Sequence, residues 1–106
     1  MDECGESVDH MAEVLSIAIF EPLPESQDVA LDTVRELGAA LTRGGYSRDL
    51  LYQDAKSRQY VLLRYWRSEE LRRAALEDPS VLRCWAKLAN EIRTIRVMET
   101  LEEIRT

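Results

Sequence analysis

Residues 60–85 carry the sequence YVLLRYWRSEELRRAALEDPSVLRCW, which predicts a strand followed by two helices. The first seven residues, Tyr60–Trp66, are rich in aromatic and branched side chains that pack well on a pleated sheet. Ser68 is followed by two acids, a pattern typical of a helix N-terminus, and predicts a brief helix over 68–76. Asp78–Pro79 predicts the start of a second helix, because the acid can cap it and proline fits the first helical position.

The residues before this stretch predict a strand, a long helix and a second strand. The apolar run at 14–20, VLSIAIF, is short and followed by prolines, which is typical of a buried strand. Apolar residues recur at spacings of four, three and four between 30 and 41, which predicts one helix that ends at Gly44–Gly45. Residues 46–54 predict the second strand, and the polar turn at 55–58 joins it to the third strand as an antiparallel hairpin.

The order of these elements predicts an α+β, ferredoxin-like fold. A final strand at 94–101 completes the order strand, helix, strand, strand, helix, strand. This split βαβ pattern is typical of a four-stranded antiparallel sheet that carries its main helices on one face. One face of the last helix is predicted to carry the apolar residues that pack on the sheet: Leu82, Trp85, Leu88, Ala89 and Ile92.

Both faces of the predicted sheet are apolar. In the first strand, side chains alternate so that Leu15, Ile17 and Ile19 share one face, while Val14, Ala18 and Phe20 share the other. The strand at 60–66 has the same two-sided character. Helices cover only one face, so a second cover is needed, and a second copy of the same sheet is the simplest. The sequence therefore predicts a homodimer formed through sheet faces.

Length and composition narrow the class of protein. The chain has 106 residues, of which 45% are hydrophobic, enough for one domain with a core of its own. Its net charge of -6 disfavours a nucleic-acid binder, which needs a basic face. There is no apolar run of membrane-spanning length. Two cysteines and one histidine do not supply a standard four-ligand zinc site, so no metal is expected.

The acidic excess lies in the first third of the chain. Residues 1–34 hold nine acids and no lysine or arginine, and the first thirteen residues show no periodicity. We interpret 1–13 as a flexible acidic leader and 14–106 as a single domain. The leader lacks the basic start and apolar middle of a secretory signal, which predicts a cytoplasmic protein with Cys4 and Cys84 reduced.

The stretch at 60–85 and the elements around it resemble the antibiotic biosynthesis monooxygenase (ABM) family of the dimeric α+β barrel superfamily, over residues 12–104. A strand that ends in Trp66, then Ser68 with acids, a short helix and a second helix are typical of that family. The resemblance implies that two sheets pair into a dimeric barrel. It also implies a cofactor-independent monooxygenase-like activity on a phenolic or quinol small molecule, in which the deprotonated substrate gives an electron to oxygen without metal or flavin.

Five residues are predicted to bind such a substrate: Ser16, Tyr52, Arg64, Trp66 and Trp85. Trp66 matches a Trp of some oxygenase members and would stack on a flat ring, although a core role also fits. Arg64 shares its strand face and would favour an anion, or would pair with a carboxylate across the dimer. Tyr52 would hydrogen-bond a phenol oxygen, Trp85 would form a pocket wall or core, and Ser16 would mark space in the pocket.

No catalytic residue is assigned. The polar side chain that oxygenase members carry one turn earlier on the strand of Trp66 is replaced by Leu62. Haem degradation is disfavoured, because Trp85 occupies the position of that branch's axial histidine and His10 lies in the leader. Cys84 is interpreted as buried and inert. The pair Arg72–Arg73 is interpreted as a solvent-facing helix surface.

Three functions remain open from the sequence. The first is a cofactor-free monooxygenase-like enzyme acting on an aromatic compound. The second is a non-catalytic dimeric α+β barrel domain that binds a small hydrophobic ligand or only assembles. The third is a regulatory ferredoxin-like ligand-binding domain, which is disfavoured because no other domain is fused to it. A polar group lining the pocket near Trp66 would distinguish the first two.

Overall fold

The computed structural model describes residues 13–106, which form one four-stranded sheet and three helices. The elements in chain order are β1 (Val14–Pro22), α1 (Gln27–Arg43), β2 (Ser47–Gln53), β3 (Tyr60–Trp66), α2 (Glu69–Ala75), α3 (Pro79–Ala89) and β4 (Ile92–Leu101). The sheet is antiparallel with the order β2-β3-β1-β4, which confirms the predicted α+β, ferredoxin-like fold. The predicted leader, with Cys4 and His10, lies outside the described residues except for Glu13.

The two helix starts after β3 are fixed by side-chain caps. Ser68 Oγ accepts a hydrogen bond from the backbone N–H of Leu71 over 3.1 Å, and Asp78 Oδ1 accepts from the N–H of Ser80 over 2.9 Å. The hydroxyl of Tyr46 donates to Asp78 Oδ2 over 2.8 Å and ties the second cap to the loop before β2. Both helix starts therefore agree with the prediction.

The helix-facing side of the sheet and the helices enclose the core. The sheet contributes Phe20, Leu62 and Trp66. The helices contribute Leu37 and Leu41 from α1 and Val81 and Leu88 from α3. Leu82, predicted to lie on the buried stripe of α3, is instead largely exposed, because the neighbouring Val81 takes the inward position.

The opposite side of the sheet, here called the outer face, is apolar and stays partly exposed to solvent. Antiparallel pairing places Ile17 beside Leu63, Ile19 beside Val61 and Leu50 beside Leu63 on this side. Its apolar members are Leu15, Ile17, Ile19, Leu50, Val61, Leu63 and Met98. The predicted apolar character of both sheet faces is thus present in the structure.

Strand β4 is longer and less regular than predicted. It begins at Ile92, which the sequence placed on the last helix, because α3 ends at Ala89. Its pairing with β1 shifts twice: Glu99 and Thr100 stand opposite Ser16, and Ile95 is an extra residue between the partners of Ile19 and Phe20. Such β-bulges re-aim the side chains around them.

Candidate active site

A cleft of about 470 Å³ lies between the helix-facing side of the sheet and helices α2 and α3. Its innermost lining is buried and includes Phe20, Leu62 and Trp66. Its outer lining is exposed and includes Leu76 and Val97. The lining is mostly apolar, and the volume is within the range of about 300–1,000 Å³ that small-molecule sites usually have.

The bulges of β4 shape one wall of this cleft. Thr94, Val97 and Glu99 all line it, although strict alternation would turn Thr94 and Val97 to opposite faces. The extra residue at Ile95 shifts the register, so that Thr94 stands opposite Phe20 and Val97 opposite Ala18. Residues 94–101 alone show only an irregular alternation, because a bulge has no fixed residue pattern.

Trp66 forms part of the inner wall, and hydrogen bonds fix its ring. Its Nε1–H donates to Ser16 Oγ over 2.8 Å, and Ser16 Oγ donates to the backbone carbonyl oxygen of Glu99 over 2.5 Å. These two bonds link β3, β1 and β4 across the sheet. The predicted residues Ser16 and Trp66 are therefore brought together.

Arg64 lines the cleft and is paired within its own chain. Its Nε donates to Asp49 Oδ1 over 2.9 Å and its Nη2 to Asp49 Oδ2 over 2.8 Å, a bidentate pair from β3 to β2. The guanidinium carbon also lies 5.7 Å from the ring centre of Trp66. Both partners are largely buried, so the carboxylate compensates the charge of Arg64. The carboxylate partner expected across a dimer is thus Asp49 of the same chain.

The other two predicted residues lie on different sides of the sheet. Trp85 lines the cleft from α3 and packs against the core, so it serves as wall and core together. Tyr52 does not belong to the cleft: it is paired with Val61 on the outer face and is exposed. A strand residue points to the side opposite its neighbours, and the odd spacing between Asp49 and Tyr52 turns the tyrosine away.

Arg72 is a cleft residue that the sequence reasoning missed. Its side chain is 20% exposed, against 75% for Arg73. Its Nε and Nη2 each donate to Glu69 over 2.9 Å, which raises the pKa of Arg72 and lowers the pKa of the Glu69 carboxyl. The sequence alone does not separate Arg72 from Arg73, because only the packing of α2 on the sheet buries the first of them. The predicted solvent-facing role therefore fits Arg73 and not Arg72.

The described residues offer no metal centre and no membrane-spanning helix. Within 13–106, no three histidine, cysteine, aspartate or glutamate side chains are grouped so that they could hold a metal ion. No helix in this part of the chain is long and apolar enough to cross a membrane. Cys84 is a free, half-buried cysteine on α3.

Comparison with known proteins identifies the fold. No protein-family model and no curated protein matches the sequence. Among solved structures, an antibiotic biosynthesis monooxygenase shares 18% identity with a TM-score of 0.72, covering 87% of this chain and 99% of that one. SnoaB, a cofactor-independent oxygenase from Streptomyces nogalater, shares 16% identity with a TM-score of 0.71, covering 90% and 99%.

A third structure shows how widely the fold is used. A conserved protein from Methanosarcina mazei Go1 shares 12% identity with a TM-score of 0.71, covering 88% of this chain and 97% of that one. Sequence identities this low show that the fold is shared and do not show that the activity is shared. The chain thus has, over nearly its whole described length, the fold of structures named as antibiotic biosynthesis monooxygenases, as the resemblance implied.

Proposed function

We propose that this protein is a cofactor-independent, monooxygenase-like enzyme that acts on a phenolic or quinol small molecule bound in the cleft. The observation that carries the proposal is the apolar cleft of about 470 Å³ with the ring of Trp66 in its inner wall. Such a cleft can bury a planar ring and keep water from it. The fold shared with the oxygenase SnoaB is consistent with this function.

The substrate itself supplies the electrons in the proposed reaction. Loss of a proton gives an electron-rich anion, which passes one electron to O2 and leaves a substrate radical and superoxide. The two radicals combine into a carbon–oxygen bond, and a proton completes the hydroperoxide. Loss of water from that hydroperoxide leaves a carbonyl on the substrate, so one oxygen atom enters the product and the other leaves as water. The protein binds the ring, favours the anion and excludes solvent.

The charges in the cleft limit how strongly the anion can be favoured. Arg64 is paired with Asp49, so its charge is compensated and adds little net positive potential. Arg72 is less buried than Arg64 and is held by Glu69. We therefore assign substrate binding to Arg64, Trp66 and Trp85, with Ser16 positioning Trp66, and no residue to catalysis. Tyr52 is left out of this set because it lies on the other side of the sheet.

A second candidate function is ligand binding without turnover. The observation in its favour is that the inner polar groups already have partners in the chain: Trp66 with Ser16, Ser16 with Glu99, and Arg64 with Asp49. The apolar Leu62 adds no polar group to the inner lining. Oxygen consumption separates the two functions.

We also propose that the working protein is a homodimer joined through the outer face. On that face, apolar residues of β1, β2 and β3 stay partly exposed, and a partner that covered them would complete a second core. A second copy of the same sheet would bury them, and an interface of this kind should persist at sub-micromolar concentration. A cytoplasmic location remains a prediction.

The proposed activity is tested with a panel of naphthols and hydroquinones. Binding to the protein and consumption of O2 are measured together for the natural sequence, Trp66→Ala and Trp66→Phe. We expect Trp66→Ala to weaken ring binding by roughly 1–3 kcal/mol, about 5- to 150-fold, while Trp66→Phe keeps a flat wall and loses less. Binding without O2 consumption would support the ligand-binding function, and no binding would refute both.

A further inference from the structure

The indole of Trp66 has two ways to meet a ligand, through its ring face or through its N–H. The ring is buried at the cleft wall. The N–H is the only hydrogen-bond donor of the indole, and it already donates to Ser16 Oγ over 2.8 Å. A ligand oxygen would have to break this bond to use it.

Ser16 is itself held in place at an irregular point of the sheet. It stands opposite two residues of β4, Glu99 and Thr100, where the ladder between β1 and β4 is interrupted by a bulge. Its hydroxyl proton is donated to the carbonyl oxygen of Glu99 over 2.5 Å. Since a hydroxyl has one proton, the lone pairs of Ser16 Oγ are what face the indole N–H. The two hydrogen bonds therefore run in one direction: Trp66 donates to Ser16, and Ser16 donates to Glu99.

We infer that Ser16 determines the ligand specificity of the cleft by holding the N–H of Trp66, so that Trp66 offers a ligand its ring face alone. This inference rests on the proposed function, because it concerns the ligand of the same cleft. The ligand part that meets Trp66 is then a planar ring surface with no acceptor oxygen aimed at the indole. Polar substituents belong beside the less buried polar side chains of the lining, such as Arg72 and Thr94.

Ser16 acts through Trp66, so it is a positioning residue. Removing its hydroxyl leaves the indole N–H without its partner beside the cleft, and an acceptor on a ligand then satisfies it. The variant should therefore gain affinity for rings that carry an acceptor. A residue with a merely structural role would lower the affinity for all rings alike.

The first measurement follows the indole N–H of Trp66 directly. Its exchange with solvent is recorded by ¹H–¹⁵N NMR in the natural sequence, with Trp66→Phe used to assign the signal. Ser16→Ala and Ser16→Val remove the hydroxyl, and Ser16→Thr keeps it with nearly the shape of valine. We expect exchange to be at least about tenfold faster in the two variants without a hydroxyl and near the natural rate in Ser16→Thr.

The second measurement compares two planar ligands of matched shape, fluorene and fluorenone, which differ by one carbonyl oxygen. We expect the natural protein and Ser16→Thr to bind fluorenone no tighter than fluorene. In Ser16→Val and Ser16→Ala the affinity ratio of fluorenone to fluorene should rise about fivefold, the scale of one net hydrogen bond. Valine serves here as the matched control for threonine if alanine fails to fold.

The outcomes separate this inference from the function on which it rests. Faster exchange together with the raised ratio supports the inference. The inference is overturned if the affinity ratio of fluorenone to fluorene is the same in all variants, or if the exchange rate does not depend on the hydroxyl. Either result leaves the proposed function standing. A natural protein that binds neither tricyclic ring overturns the inference, and the panel of naphthols and hydroquinones then decides the proposed function separately.

Discussion

The two sides of the sheet are formed by the same strands and differ in whether their side chains have partners within the chain. On the helix-facing side, the chain supplies its own partners: Asp49 for Arg64 and Ser16 for Trp66. On the outer face, apolar side chains such as Ile17 and Leu63 stay partly exposed. Arg64 and Trp66 thus have their partners within one copy of the described chain, whereas the outer face lacks a cover.

This difference follows from the period of two in a strand. Along β3, Leu62, Arg64 and Trp66 turn to the helices, while Leu63 and Tyr65 turn to the outer face. One seven-residue segment therefore contributes both a cleft wall and a proposed interface. The proposed ligand binding and the proposed assembly therefore depend on alternate residues, so they should respond to different substitutions.

The largest effect is expected from a charge on the outer face. Leu50→Asp places a carboxylate beside Leu63, where the proposed interface would bury it at a cost of several kcal/mol. The dimer dissociation constant should rise by a factor on the order of ten thousand, because each copy brings one carboxylate into the interface. Sedimentation velocity across a concentration series measures it.

A matched control for that substitution lies on α3. Leu82 is 43% exposed and Leu50 is 41% exposed, so both leucines are equally accessible in one copy of the chain. Leu82→Asp should leave the oligomeric state unchanged, because Leu82 is not on the outer face. A natural protein that sediments as a folded monomer at sub-micromolar concentration would refute the proposed dimer.

The next largest effect is expected at the buried ion pair of Arg64 and Asp49 on the helix-facing side. Asp49→Leu leaves the charge of Arg64 buried without its partner, which should lower the free energy of unfolding by about 3–5 kcal/mol. The double variant Asp49→Leu with Arg64→Leu removes both charges and should be more stable than Asp49→Leu alone. Urea unfolding measures these two variants and the single variant Arg64→Leu, and the proposed dimer should persist in each folded variant. A double variant whose loss equals the sum of the single losses would show that the two side chains are not coupled.

The sequence predicted the elements whose signals are local. Residues 60–66 are a strand as predicted, because aromatic and branched side chains mark it, and the starts of α2 and α3 agree because Ser68 and Asp78 cap them. The period of two predicted that Arg64 and Trp66 share one strand face, whereas the pairing of β1 with β3 that brings Ser16 to them is known only from the structure.

The features that the sequence did not predict depend on pairing between distant residues. The bulges in β4 exist only against β1, so residues 94–101 alone show an irregular alternation and no more. The partner of Arg64 lies fifteen residues away on β2, and several carboxylates were equally open to it from the sequence. Arg72 and Arg73 are chemically alike, and only the packing of α2 on the sheet distinguishes them.

The smallest effect is expected at the ion pair of α2. The hydrogen bonds from Arg72 hold the pKa of Glu69 below its usual value, so the pair stabilises the fold above the unfolded-state pKa of a glutamate, about 4.3. This contribution is lost as the pH falls through the lower pKa of the folded state. Arg72→Gln should therefore lower the free energy of unfolding at neutral pH and make little difference in acid. Because Glu69 is more than a third exposed, solvent screening limits the loss to about 0.5 kcal/mol.

Arg73→Gln is the matched comparison for this pair. Arg73 also contacts Glu69, at 3.2 Å, but it is far more exposed than Arg72, so its removal should cost less. Urea unfolding of the natural sequence and both variants is measured across a pH series from 7 to 2, at low and at high salt. Equal losses at pH 7 would show that the burial of Arg72 against the cleft adds nothing to the pair. A loss for Arg72→Gln that stays constant down to the acid end of the series would assign it to packing of the arginine stem on the cleft wall rather than to its charge.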